Sequence, residues 1–203
     1  MNSAPRRSAK SREPVEVILR AAHELLAFEG YPSFTIRNIA KQAGISVGNV
    51  QYYFQSKNAL LQELLLFVTE RYNREYRRVF SKTADTPKDR FCAFIDFLLS
   101  DMTDPLRRGF FFQVWALAPS DNFVEECMEQ SFSRYRAAVS ELISELRPSL
   151  SRAELDKRAS AIQSLVEGTQ LSLTKKAERF VHRSGIRELV KEEAYAIATT
   201  QTK

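Results

Sequence analysis

Apolar residues recur along this chain with the spacing of one face of an α-helix. The segment between Pro14 and Gly30 shows it most clearly, with apolar positions at Ile18, Ala22, Leu25 and Leu26. Glycine and proline residues, together with Ser and Thr residues suited to helix N-caps, separate such segments. The pattern predicts nine helices and no strand. We therefore predict an all-α fold.

The composition agrees with a globular helical protein. Hydrophobic residues make up 44% of the 203 positions and charged residues 27%, and Gly and Pro number only 6 and 7. No apolar run approaches the roughly 18 residues of a membrane span, and the N-terminus lacks the apolar segment of a signal peptide. We predict a cytoplasmic protein without membrane contact, in which Cys92 and Cys127 are reduced.

The residues that carry enzyme or metal chemistry form no recognisable cluster. His23 and His182 stand apart, and neither cysteine belongs to a CxxC motif. No nucleophile–base pair is evident. We therefore predict no enzymatic activity, no metal and no cofactor.

Positive charge is concentrated at the N-terminus. The first 60 residues hold eight basic and four acidic side chains, whereas the other 143 hold 22 and 21. This distribution is typical of a small nucleic-acid-binding module attached to a neutral body. It also fits a solvated basic tail, because four of the eight basic residues lie within residues 1–12.

Two short helices around Gly44 indicate a helix-turn-helix. The turn Ala43-Gly44-Ile45-Ser46 separates a helix capped by Thr35 from one capped by Ser46. Gly44 permits a left-handed backbone at the turn. The second helix is then free to enter a major groove with its N-terminal residues at the base edges.

Five motifs lie in and around this turn: Ala21 to Gly30, Thr35-x-x-x-Ile39-Ala40, Ala43-Gly44-Ile45-Ser46-x-Gly48, Tyr53-Phe54 and Ser56-Lys57-x-x-Leu60-Leu61. Through them the chain resembles the TetR family of bacterial transcriptional regulators, most strongly over residues 14–65. A weaker similarity to BetI-like effector domains is present at 110–118. The resemblance implies a DNA-binding domain at 13–55 and an effector-binding and dimerisation domain at 56–203. Residues 1–12 are rich in Ser, Pro and Arg and lack periodicity, so we expect a disordered basic tail there.

The resemblance also implies DNA-contacting residues. Lys57 and Thr35 match positions that contact phosphates, and Arg37 matches one that reaches a base edge. For Gln51 two roles stay open: a bidentate bond to adenine, or a bond to a phosphate. The remaining candidates lie on or next to the recognition helix: Ser46, Val47, Gly48, Asn49, Tyr52 and Tyr53.

A dense set of aromatic residues over 91–132 is either core or the wall of a ligand pocket. By resemblance this region encloses an effector pocket. An aromatic box with one carboxylate would suit a cationic or aromatic ligand, and a hydrophobic ligand fits nearly as well. The candidate pocket residues are Phe94, Phe111, Trp115, Phe123, Glu167 and Gln170.

The last two predicted helices, at about 151–173 and 185–199, have broad apolar faces. By resemblance they pair with their copies in a homodimer, which places two recognition helices on one palindromic double-stranded operator. We expect a repressor released by a small-molecule effector; the alternative is a regulator whose C-terminal domain binds a protein. The candidate interface residues are Ile162, Val166, Thr169, Leu173, Leu189 and Val190.

Overall fold

The computed structural model describes residues 9–81, 86–101, 104–172 and 185–201. Over these ranges the chain forms nine α-helices and no strand, which confirms the predicted all-α fold. Two short 3-10 turns, Tyr31–Ser33 and Ala118–Ser120, interrupt the series. The helices are α1 Ala9–Glu29, α2 Ile36–Ala43, α3 Val47–Tyr53, α4 Lys57–Ser81, α5 Pro87–Asp101, α6 Pro105–Leu117, α7 Asn122–Leu146, α8 Arg152–Ser172 and α9 Ile186–Thr199.

The first helix begins earlier than predicted. We expected residues 1–12 to be disordered, but α1 starts at Ala9 and contains Pro14. Pro14 is the sixth residue of α1 and has no amide hydrogen to donate to the Lys10 carbonyl, so the helix lacks one backbone hydrogen bond there. Ala, Lys, Arg and Glu in this stretch all favour helix. Residues 1–8 lie outside the described part of the chain.

The chain divides into two compact units. The first comprises Met1–Arg71 and Pro105–Cys127, and the second comprises Tyr72–Asp104 and Met128–Lys203. This division follows packing, and it places α6 with the N-terminal helices. The predicted boundary between residues 55 and 56 separates the DNA-binding domain from the effector-binding and dimerisation domain. It is a division by function and stays a prediction.

In the first unit, α1 packs against both α2 and α6. The crossing with α6 is close at Gly109, where a Cβ atom would overlap the carbonyl oxygen of Ala27. Only glycine allows two helix backbones to approach this closely. One position further along α6, the Phe110 ring meets the His23 ring edge-on, with centroids 4.8 Å apart.

The core of the second unit contains part of the predicted dimer interface. Ile162 and Val166 are fully buried in the single chain, and Val190 is 5% exposed. They contribute to the core of their own chain in this conformation, and their assignment to the dimer interface stays a prediction. Their apolar stripe fills the space between α8 and its neighbours α5 and α9. Leu173 lies outside the described residues.

A buried arginine closes the end of α9. The guanidinium of Arg158 donates to the carbonyl oxygens of Ile197 at 2.8 Å, Ala198 at 3.1 Å and Thr200 at 2.7 Å. Its Nε donates to Glu154 at 3.0 Å. The last carbonyls of a helix lack intrahelical partners, and the fork of Arg158 satisfies three of them at once.

Replacing Arg158 by Met should lower the free energy of unfolding by about 3 kcal/mol, because the buried carbonyl groups at the end of α9 lose their hydrogen-bond donor. Urea denaturation measures this change. Arg152→Met is the matched control, since Arg152 forms an exposed 3.1 Å ion pair with Asp156 on the same helix. The control should lose less than about 0.5 kcal/mol. Equal losses in the two variants would contradict the capping role.

Candidate DNA interface and effector residues

The turn between α2 and α3 has the geometry of a helix-turn-helix. Thr35 caps α2 by accepting a hydrogen bond from the Asn38 amide at 3.2 Å. Gly44 ends α2 in the left-handed region with φ of 69°. Ser46 then caps α3 by accepting from the Asn49 amide at 3.2 Å. The predicted caps and breaker are thus confirmed.

The seven-residue helix α3 exposes one face and buries the other. Val50 is fully buried, whereas Tyr52 is 82% exposed and Val47 40%. Gly48, Asn49 and Gln51 are also exposed, and Tyr53 is half-buried. The candidate contact residues therefore lie mainly on the open side of the helix.

A surface groove of about 480 Å³ runs beside the N-terminal end of α3. Two of its lining side chains are basic, Arg37 and Lys41, and both are exposed. The segment 30–62 contains these two cations and Lys57 but no acidic residue. An anionic partner is favoured at this surface. The remaining lining residues are Asn38, Ala40, Ile45 and Val47.

A second groove, of about 540 Å³, lies between the start of α1 and α3. Glu13, Pro14 and Val17 form its α1 side. The beginning of α1 therefore lies across this groove from α3. The side formed by α3 and the preceding turn consists of Ile45, Asn49, Tyr52 and Tyr53.

Lys57, at the start of α4, is held by the 3-10 turn that follows α1. Its ammonium nitrogen lies 3.6 Å from the centroid of the Tyr31 ring and 3.5 Å from the Tyr31 carbonyl oxygen. The Phe34 ring stacks on Tyr31, with centroids 6.1 Å apart. Sequence reasoning missed Tyr31. Its only signal was an aromatic residue directly after the glycine that ends α1.

The six candidate effector residues are divided between the two units. Phe111, Trp115 and Phe123 belong to the first unit and are half-buried. The second unit holds Phe94, Glu167 and Gln170. Their assembly into one site stays a prediction.

Phe94 and Glu167 have different environments within the second unit. Phe94 is 1% exposed and packs against Tyr135, so it belongs to the core in this conformation. Its assignment to the effector pocket stays a prediction. Glu167 is mostly buried, and this desolvation raises the pKa of its carboxyl group from 4.5 to about 7. A cation beside Glu167 would favour the charged carboxylate and lower this pKa again.

Comparison with known proteins agrees with this fold. The family described as "Bacterial regulatory proteins, tetR family" matches residues 18–64, and "BetI-type transcriptional repressor, C-terminal" matches residues 87–197. The regulator BetI of Stenotrophomonas maltophilia is 30% identical over 108 residues, which cover 52% of this chain and 54% of BetI. The chain spans about half the length, or less, of the curated relatives that it matches at 30% identity or more.

Two solved structures share the fold. A TetR transcription regulator of Haloarcula marismortui superposes with a TM-score of 0.74 at 20% identity, covering 92% of this chain and 97% of that one. A protein of Saccharomonospora viridis, described as a transcriptional regulator in complex with choline, gives 0.72 at 19% identity, covering 91% and 94%.

The fold and the helix-turn-helix together define a DNA-binding transcription regulator, a class without enzymatic activity. The chain belongs to the TetR family, and its C-terminal part is of the BetI type. Among the described helices, none is both long and apolar enough to cross a membrane.

Proposed function

We propose that the chain is a ligand-responsive repressor that binds a palindromic operator as a homodimer and releases it when a small-molecule effector binds. The observation that carries this proposal is the exposed polar face of α3, within a segment of three basic and no acidic residues. Such a surface fits the major groove of a duplex and its flanking phosphates.

The proposed DNA contacts fall into two classes. Thr35 and Lys57 contact phosphates and set the register, and Ser46 keeps its hydroxyl hydrogen for a phosphate oxygen because it only accepts from Asn49. Arg37 reaches a base edge, with guanine as its natural partner. The open face of α3 reads the other bases through Val47, Gly48, Asn49, Gln51, Tyr52 and Tyr53.

Replacing Gln51 by Ala tests the base contact. A bidentate bond from Gln51 to adenine discriminates against other bases by about 1–3 kcal/mol, so the variant should lose its preference at one base pair in each half-site. Selection from a randomised duplex library, with wild type and variant in parallel, measures this loss. A uniform fall in affinity with every preference retained would assign Gln51 to a phosphate instead.

We propose that the dimer forms through the exposed side of α8 together with α9. The α8 side carries small residues at helical spacing, and the hydroxyls of Ser160 and Ser164 donate to carbonyls of their own helix. Because these hydroxyls are already hydrogen-bonded, a second helix would pack against short side chains that offer a largely apolar surface. On α9, Leu189 is 53% exposed and is the apolar side chain proposed to contact the partner. The exposed positions from 160 onward on α8 are Ser160, Ala161, Ser164, Gly168 and Leu171, with Thr169 half-buried.

Replacing Ser164 by Arg should separate the dimer, because the long charged side chain cannot fit a close helix contact. Sedimentation at micromolar concentration should show a monomer, with operator affinity reduced by about 100-fold or more as the second half-site is lost. Ser133→Arg, at an exposed position of α7, is the matched control and should remain a dimer. A monomeric wild type, or a dimeric Ser164→Arg variant, would contradict the proposed interface.

We propose a cationic effector that is paired with Glu167 in the second unit. Within the first unit, Phe111, Trp115 and Phe123 stay the candidate aromatic contacts of an effector. A buried carboxylate and aromatic faces are the groups that recognise a quaternary ammonium. The choline complex of the Saccharomonospora viridis protein and the BetI-type match support this ligand class. Gln170 is buried one turn from Glu167 and offers a polar contact.

Choline is the probe, and isothermal titration calorimetry measures its affinity. Because the pKa of Glu167 is about 7 without ligand, choline should bind about tenfold more weakly at pH 6 than at pH 8. Glu167→Gln should abolish this pH dependence. The neutral isostere 3,3-dimethylbutan-1-ol is the control and should bind equally at both pH values. Choline affinity that is independent of pH would contradict the role of Glu167.

A further inference from the structure

The helix α6 presents different groups on opposite sides. Gly109 and Gln113 are one turn apart and face α1 and the turn after it. Phe111 and Trp115 are also one turn apart, but each lies two positions, or about 200° around the helix, from that face. One rigid helix of 13 residues therefore carries both the proposed effector contacts and a contact with the DNA-binding part of the first unit.

The contact with the DNA-binding part is made by Gln113. Its Oε1 accepts a hydrogen bond from the Tyr31 amide at 3.0 Å, although the two residues are 82 positions apart in sequence. The same oxygen lies 3.4 Å from where a Cβ of Gly30 would be. The turn and the Gln113 side chain therefore fit closely at this point, where Gly30 has a left-handed backbone with φ of 78°.

The amide that Gln113 holds belongs to the residue that holds Lys57. The Tyr31 ring and carbonyl lie 3.6 Å and 3.5 Å from the Lys57 nitrogen. A lysine side chain has four rotatable bonds and normally loses entropy when it binds a phosphate. The cation–π contact reduces that loss, because it limits the positions of the ammonium group before DNA arrives.

We infer that Gln113 is a positioning residue for DNA binding: it holds the Tyr31 turn in the place that directs the Lys57 ammonium to a DNA phosphate. The inference rests on the proposed phosphate contact of Lys57. Gln113 itself touches no DNA in this scheme. It acts through the backbone of Tyr31, and so it ties the position of α6 to the strength of that phosphate contact.

A double-mutant cycle tests this inference with the full-length protein. The variants are Gln113→Met, Lys57→Met and the double variant, with Gln62→Met as the matched control at an exposed position of α4. The probe is a 30-base-pair duplex of random sequence, because a phosphate contact serves every sequence. Affinity is measured over a series of salt concentrations, and circular dichroism checks that each variant is folded.

We expect Lys57→Met to flatten the slope of log affinity against log salt by about one unit. Gln113→Met should weaken binding by about threefold to tenfold and flatten the slope in the same direction. In the Lys57→Met background, Gln113→Met should have no further effect. Gln62→Met should bind as the wild type does. Additive effects of Gln113→Met and Lys57→Met would overturn the inference.

The same cycle separates this inference from the proposed function. A wild type that binds no duplex, or an unchanged slope in Lys57→Met, would reject the phosphate contact itself. A loss in Lys57→Met with none in Gln113→Met would reject only the role of Gln113.

Tyr31→Phe and Tyr31→Leu test the same link if Gln113→Met does not fold. Phenylalanine keeps the aromatic face and should bind as the wild type does, whereas leucine should lose affinity as Gln113→Met is expected to. Equal losses in the two Tyr31 variants would show that the hydroxyl group binds the DNA, and they would overturn the cation–π link.

Discussion

The recognition surface depends on the burial of one side chain, Val50. A seven-residue helix is too short to be stable in water by itself, so α3 must be held from outside. Val50 anchors its inner face, Ser46 caps its start, and the buried Phe54 ends it. These three residues fix the orientation of α3, so that its polar side chains face away from the core.

The charge distribution then decides what this outward face attracts. The segment 30–62 has no carboxylate to oppose Arg37, Lys41 and Lys57. Two of these cations stand in or beside the groove along α3, and the third is held against the Tyr31 ring. A duplex offers a row of phosphates on either side of the major groove. Geometry and charge therefore favour the same partner.

The helices and the recognition turn could be predicted because their signals are local. Thr35, Gly44 and Ser46 each act on backbone groups within four residues, and a single sequence shows such relations directly. The early start of α1 is not evident from the sequence, because residues 9–13 lack the apolar periodicity of the rest of the helix and a proline follows them.

The relations that could not be predicted connect distant parts of the chain. The apolar stripe with Ile162 and Val166 looks the same whether its own chain or a second copy covers it, and only the structure shows that its own core does. The hydrogen bond between Gln113 and Tyr31 spans 82 positions. It involves a backbone amide, and the pattern of side chains along a sequence does not indicate which backbone amides bind distant residues. Sequence thus identified the DNA-binding segment, but not the contacts that hold it.

Hydroxyl-radical footprinting on a duplex selected by the wild-type protein tests the central claim most directly. A homodimer that places one α3 in each of two major grooves should protect two patches of backbone, related by two-fold symmetry, with centres separated by about 10 base pairs or a multiple of one helical turn. The base sequence within the two patches should be palindromic. A single protected patch, or protection without two-fold symmetry, would contradict the account.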